Sequence, residues 1–132
     1  MWSYKLFRIG ALVLALLGGI HLLAHLSTKD AKPANGTEFQ LRELMYGYKL
    51  NIMGTMRSQG EIFDGMTMSF SVFMLTLAAI GFTVPVQRKT GIVIAASLLV
   101  MLGLSATYWF ILPTSMIAAA LLCFAGSAYL EK

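Results

Sequence analysis

Charge is what this sequence has least of. Only 12% of its 132 residues are Asp, Glu, Lys or Arg, about half the share of an ordinary soluble domain. A soluble chain of this length exposes much of its surface and needs more charge than this to stay dissolved, so a soluble globular fold is excluded. Disorder is excluded for the opposite reason. Hydrophobic residues make up 58%, whereas chains that remain unfolded combine low hydrophobicity with high net charge. Cysteine is nearly missing as well. One thiol, Cys123, permits no intrachain disulfide, no CxxC redox pair and no thiolate metal cage, and its apolar neighbours mark it as a small buried side chain. The formal charge is +4, but no soluble segment gathers bases among aromatics, which excludes nucleic acid as a partner.

Long apolar runs are what the sequence does have. A bilayer core about 30 Å thick needs about 20 apolar residues in a helix, and four stretches meet that length. Residues 6–26 are interrupted only by Arg8, His21 and His25. Residues 62–84 carry Asp64 near their start, and residues 91–112 and 114–130 carry no charge. The expected fold is therefore all-α: a four-transmembrane-helix bundle in a single integral membrane domain over residues 1–132. The first run follows Lys5 as a signal peptide would. It is longer than the roughly 7–15 residues of a signal core, however, and no A-x-A-like site follows it, so it reads as a retained helix. Trp2, Tyr4 and Phe7 at one end of helix one, and Tyr108 and Trp109 at the far end of helix three, fit an aromatic belt. Pro113 is expected to break the chain there, with Thr114 or Ser115 capping the next helix in a tight hairpin. Gly18-Gly19, Ala95-Ala96-Ser97, Gly103, Ala118-Ala119-Ala120 and Ala125-Gly126-Ser127 are small enough to let backbones approach closely.

Orientation rests on Lys and Arg. The side with both termini and the second loop holds Lys5, Arg8, Arg88, Lys89 and Lys132, and the long first loop holds Lys29, Lys32, Arg42, Lys49 and Arg57. The counts tie, but short membrane-close segments weigh most. Both termini are therefore placed in the cytoplasm of a bacterial inner membrane.

The loop between helices one and two starts with a polar, turn-rich segment, 27–36. Thr37-Glu38-Phe39-Gln40 fits a capping box. Leu41, Leu44, Met45, Tyr48 and Ile52 then recur at helical spacing, with Gln40, Arg42, Glu43 and Lys49 facing away. The spacing predicts a short amphipathic helix over 38–53, lying on the membrane surface or over the bundle mouth as a lid or as a docking face. Ser58-Gln59-Gly60-Glu61 is a second capping box opening helix two, and Glu61 and Asp64 suit the positive end of its dipole.

The candidate site lies where helix one enters that loop and helix two leaves it. His21 and His25 are four residues apart on one helix face. Glu61 and Asp64 start at the same membrane face, Thr67 and Ser71 continue the Asp64 stripe inward, and Arg57 lies just above it. Ionisable groups at membrane depth are costly and usually face the interior or a wet cavity. Three readings stay open: a polar cluster that fixes helix packing, for instance His25 against Asp64; the headgroup end of a lipid or quinone pocket; or a metal, haem or proton site in which His21, His25 and Asp64 would be the ligands. Met45, Met53, Met56, Met66, Met68 and Met74 raise Cu(I), but methionine is equally an apolar filler.

The order of features resembles small four-helix bacterial membrane proteins of the DoxX-like group. The resemblance is carried by Gly18-Gly19-Ile20-His21-Leu22, Arg57-Ser58 and Asp64-Gly65-Met66-Thr67-Met68-Ser69-Phe70. It implies a four-helix membrane bundle and brings no catalytic residues. No activated nucleophile, phosphate-cradling glycine loop or dense metal motif is present, no cofactor is required, and no catalytic residue is assigned. The expected role is a non-enzymatic accessory or scaffold subunit, or a binder of an amphiphile, with membrane lipids and a larger complex or homo-oligomer as partners. The rival is a membrane oxidoreductase or a proton- or metal-coupled carrier using His21, His25, Glu61 and Asp64.

Overall fold

The computed structural model describes residues 2–109 and 111–131, with Tyr108 described by its backbone alone. Lys132, counted above among the cytoplasmic bases, and the Tyr108 side chain, counted in the aromatic belt, lie outside the described residues. In chain order the elements are α1 (Trp2–Thr28), α2 (Gly36–Gly47), β1 (Lys49–Ile52), β2 (Thr55–Ser58), α3 (Gln59–Thr83), α4 (Arg88–Tyr108) and α5 (Ile111–Leu130). α1, α3, α4 and α5 are each long and apolar enough to cross a membrane, and α2 lies between the first two. The spans run a few residues past most of their expected ends. Where no water reaches the backbone, each N–H and C=O must be bonded within the helix, so the ladder continues into polar flanks such as Lys5 and Arg88.

Pro113 does not break the chain. The helix stops at Trp109, whose N–H reaches the Ser105 carbonyl at 2.9 Å, and α5 begins at Ile111 with Pro113 buried in its first turn. First-turn N–H groups have no intrahelical partner, so a proline there sacrifices no bond. Nor does Thr114 or Ser115 cap α5. The Thr114 hydroxyl meets Ser105 Oγ at 2.7 Å, joining α4 to α5, and Ser115 bonds back to the Leu112 carbonyl at 2.8 Å.

The chain forms two compact units, one of the residues up to Gly19 together with those from Val72 onward, the other of Ile20–Ser71. In the first, all four long helices meet around Phe7, Leu14, Met74, Leu98, Ile117 and Phe124, all fully buried. The Phe7 and Phe124 rings pack edge-to-face with centroids 5.0 Å apart, the arrangement their quadrupoles favour. Gly126, in one of the small-residue runs, is closely approached, a methyl there lying 3.3 Å from Leu6 Cδ1, but the tightest approaches come from glycines outside those runs. A methyl on Gly81 would lie 2.7 Å from Ala11 Cβ, and one on Gly10 would lie 2.9 Å from the Phe124 ring. Gly19 and Gly103 face open space. Arg8 is more than a topology signal, since its Nη1 donates to the Gly81 carbonyl at 2.6 Å. Ser127 Oγ likewise donates to the Ser3 carbonyl at 2.9 Å. Outward-facing Leu12, Leu16, Val100 and Leu122 stay exposed, as expected of a surface solvated by lipid.

In the second unit the expected amphipathic helix over 38–53 is cut short. α2 ends at Gly47, and Lys49 and Ile52 belong to an antiparallel hairpin in which Leu50 faces Arg57 and Ile52 faces Thr55. The turn residues Met53 and Gly54 have φ of 50° and 87°, the paired positive values that two-residue hairpins favour. Asn51 Oδ1 accepts the Gly54 N–H at 2.9 Å. The α2 capping box also lies two residues earlier than expected. Asn35, not Thr37, is the cap: its Oδ1 accepts the Glu38 N–H at 2.9 Å, and Glu38 Oε2 accepts from the Ala34 N–H at 2.7 Å. The Ser58 box forms as expected, with Ser58 Oγ accepting the Glu61 N–H at 3.1 Å and Glu61 Oε2 accepting the Ser58 N–H at 2.8 Å.

The α1–α3 approach gives a direct test. Gly81→Val should destabilise the bundle by about 1–3 kcal/mol through overpacking against Ala11. Gly19→Ala, with nothing within 4 Å, should be neutral or stabilise by up to about 1 kcal/mol through helix propensity. Thermal unfolding of the two variants in detergent separates them.

Candidate functional site

The polar site is built entirely within residues 20–71. α1 carries His25 one turn before its end, and the capping box at Ser58 starts α3 so that Asp64 falls just past its first turn. His25 Nδ1 stands 4.0 Å from Asp64 Oδ1, with the two side chains 6% and 19% exposed. That is longer than a hydrogen bond, so the two groups face each other without sharing a proton. The other imidazole nitrogen, Nε2, is buried and has no hydrogen-bond partner. Buried polar atoms are seldom left so, because an unmade hydrogen bond costs the full desolvation of the group, about 1–3 kcal/mol.

A third side chain completes the site. The Tyr46 hydroxyl, from the last turn of α2, donates to Asp64 Oδ2 at 3.0 Å. Gly60 makes room for it, since a methyl there would come within 2.6 Å of the Tyr46 ring. Asp64 is thus approached on one oxygen by a phenol and faced on the other by an imidazole. Burial first, and then the bond and charge of Asp64, push the Tyr46 phenol above its usual value, while Arg42 pulls the other way. The phenol therefore stays a donor throughout the neutral range.

The remaining residues expected at the site are divided among other tasks. The His21 ring packs edge-to-face on Phe70, with centroids 5.0 Å apart. Arg57 and Glu61 form an exposed i,i+4 pair at 3.9 Å, and Glu61 is already occupied as the partner of Ser58 in the capping box of α3. Ser71 is fully buried and donates to its own helix at the Thr67 carbonyl, 3.1 Å away. Thr67 is half-buried and supplies that backbone acceptor. Among the described residues no three His, Cys, Asp or Glu side chains come together as a group that could hold a metal ion. Sequence reasoning missed Tyr46 and Gly60. Tyr46 fell outside the apolar helical stripe, and Gly60 read only as a neutral position inside the capping box.

The chain matches no family model, no curated protein and no solved structure with which it was compared.

Gly60→Ala should push the Tyr46 ring off Asp64 and speed amide exchange in α2. Gly65→Ala, which meets nothing within 4 Å, should leave exchange unchanged. The pH dependence follows from the sign of the Tyr46 shift. A folded-state value above the unfolded one contributes stability that is complete below about pH 10 and is lost as pH rises through the folded value. α2 should accordingly loosen only in alkali, and Tyr46→Phe should abolish that step, as followed by hydrogen exchange against tyrosinate absorbance.

Proposed function

We propose that this integral membrane protein binds the polar head of an amphiphile at His25, Asp64 and Tyr46, with the apolar helices receiving the tail, and that it acts as a binding or accessory subunit rather than as an enzyme. The observation that carries the reading is the His25 imidazole, buried, facing a carboxylate with Nδ1 and holding Nε2 without a partner. A carboxylate facing one ring nitrogen favours the tautomer protonated there, which leaves the other nitrogen as an acceptor. The ligand must then donate, which favours an aminophospholipid ammonium, a glycerol hydroxyl or a quinol hydroxyl over a phosphodiester or a quinone carbonyl, which only accept.

Tyr46, Asp64 and His25 also form a line of exchangeable protons from an exposed phenol to a buried imidazole, which supports a second reading as a proton-coupled carrier. The proposed setting is a bacterial inner membrane with both termini inside. Lys5, Arg8, Arg88 and Lys89 gather at the ends of α1 and α4, whereas residues 20–71 carry five bases and five acids. Partners beyond lipid, whether a second copy or a larger complex, belong to the same proposal.

Mass spectrometry of the protein extracted gently from its native membrane tests the binding role. The expected result is a stoichiometric small molecule bearing N–H or O–H groups, retained by His21→Ala and lost in both His25→Ala and Asp64→Asn. Co-purifying protein chains with no such ligand would overturn it. A protein without ligand that moves protons in vesicles, and ceases to on Asp64→Asn, would establish the carrier reading instead.

A further inference from the structure

The hairpin between α2 and α3 has no core of its own. Every residue of β1 and β2 except Ser58 is exposed. A two-stranded hairpin alone is marginal in water and needs a hydrophobic partner. Its side chains are nonetheless those of a surface meant to be covered. Cross-strand pairing puts Leu50 and Ile52 on one face with Arg57 and Thr55, and Met56 on the other with Asn51 and Lys49. At the tip, Met53 is completely exposed in a left-handed conformation that an ordinary side chain adopts only at a cost.

The base of the hairpin is tied to a membrane span. Ser58 is both the last residue of β2, paired with Lys49, and the cap of α3, bonded reciprocally with Glu61. It is 1% exposed. No linker intervenes, so the hairpin starts at the surface of whatever bilayer α3 crosses. Between Leu44 and Gly60 there is no acidic residue, while Lys49 and Arg57 are basic. Arg57 remains 57% exposed beside Glu61 and is free to meet a second anion.

We propose that the hairpin Lys49–Ser58 is an interfacial membrane anchor. It lies along the bilayer surface beside the head of α3, with Met53, Leu50 and Ile52 at the boundary of headgroups and acyl chains and with Lys49 and Arg57 on anionic lipid phosphates. Strands of four residues carry the tip about 14 Å from Ser58, whereas the headgroup layer is only about 6 Å deep on each side. An upright hairpin would therefore lift Met53 into water, and only a recumbent one keeps the apolar tip among lipid. Cationic residues next to apolar ones on an otherwise uncovered element are the pattern of interfacial binding.

Nitroxides attached through Met53→Cys, Ile52→Cys and Asn51→Cys, one at a time in a Cys123→Ala background, test the orientation. All three side chains are exposed; Asn51→Cys gives up the bond to the Gly54 N–H, so amide exchange across the hairpin is measured first to show that the strand pairing survives. In vesicles of phosphatidylethanolamine and phosphatidylglycerol, labels at positions 53 and 52 should collide with oxygen several-fold more readily than with a water-soluble nickel chelate, and the label at 51 should show the reverse. Replacing the lipid by phosphatidylcholine, or combining Lys49→Gln with Arg57→Gln, should shift position 53 toward the chelate. Equal chelate access at 53 and 51 would mean an upright, solvated hairpin and overturn the proposal. Shielding of position 53 from both reagents would show that a protein covers the tip, and would overturn it as well.

Discussion

A carboxylate placed where an apolar helix enters a membrane has to be answered by donors, and the second unit of this protein is arranged around answering Asp64. Ionised oxygens removed from water cost several kcal/mol unless they are paired or hydrogen-bonded. One oxygen of Asp64 is met by the Tyr46 hydroxyl and the other is faced by the His25 imidazole. Tyr46 can reach only because α2 ends at Gly47 and because Gly60 leaves space beneath the ring. Asp64 is in place only because Ser58 and Glu61 fix where α3 begins. The turn, the cap, the glycine and the short helix thus serve one electrostatic requirement, and its by-product is an imidazole with one nitrogen facing a carboxylate at 4.0 Å and the other without a partner.

That spare acceptor is what separates a binding role from a packing role. A polar cluster whose only task is to hold helices together is most stable when every member is satisfied, as Ser127 on the Ser3 carbonyl and Ser105 with Thr114 are. Those contacts leave nothing over, whereas Arg8, bonded to the Gly81 carbonyl through Nη1, keeps a buried donor, Nε, without a partner. His25 leaves a buried nitrogen without a partner, a cost that a donating ligand would remove.

The spans were legible because apolar length accumulates over about 20 residues and survives errors at either end. The Ser58–Glu61 cap was legible because it is local and spaced by three. The meeting of His25 and Asp64 was legible as one of several readings, since two ionisable groups at the same depth on neighbouring helices have few other partners. Residues 38–53 were misread because two periods overlap there. Leu41, Leu44, Met45, Tyr48 and Ile52 satisfy a helical spacing, while Leu50 and Ile52 alternate as a strand does, and a short apolar stretch does not decide between them. The turn carries Met53-Gly54 in place of the familiar Asn-Gly, so its strongest local signal was missing. Pro113 misled because a proline ends a helix or begins one with equal ease, depending on a register that only the break at Trp109 reveals. Tyr46 and the tight glycines Gly10, Gly60 and Gly81 report contacts between distant segments, and no spacing along the chain encodes those.

A binding role turns on one atom, His25 Nε2, whose state can be read spectroscopically. Nitrogen NMR of imidazole-labelled protein in lipid nanodiscs distinguishes a bare acceptor nitrogen from one that carries a proton, and both from one accepting a hydrogen bond. A donor-binding His25 carries its proton on Nδ1 and shows an Nε2 resonance that moves toward the hydrogen-bonded value when phosphatidylethanolamine or a quinol is added. An Nε2 of His25 that already carries the proton, or that ignores every donor-bearing amphiphile, would contradict the binding role.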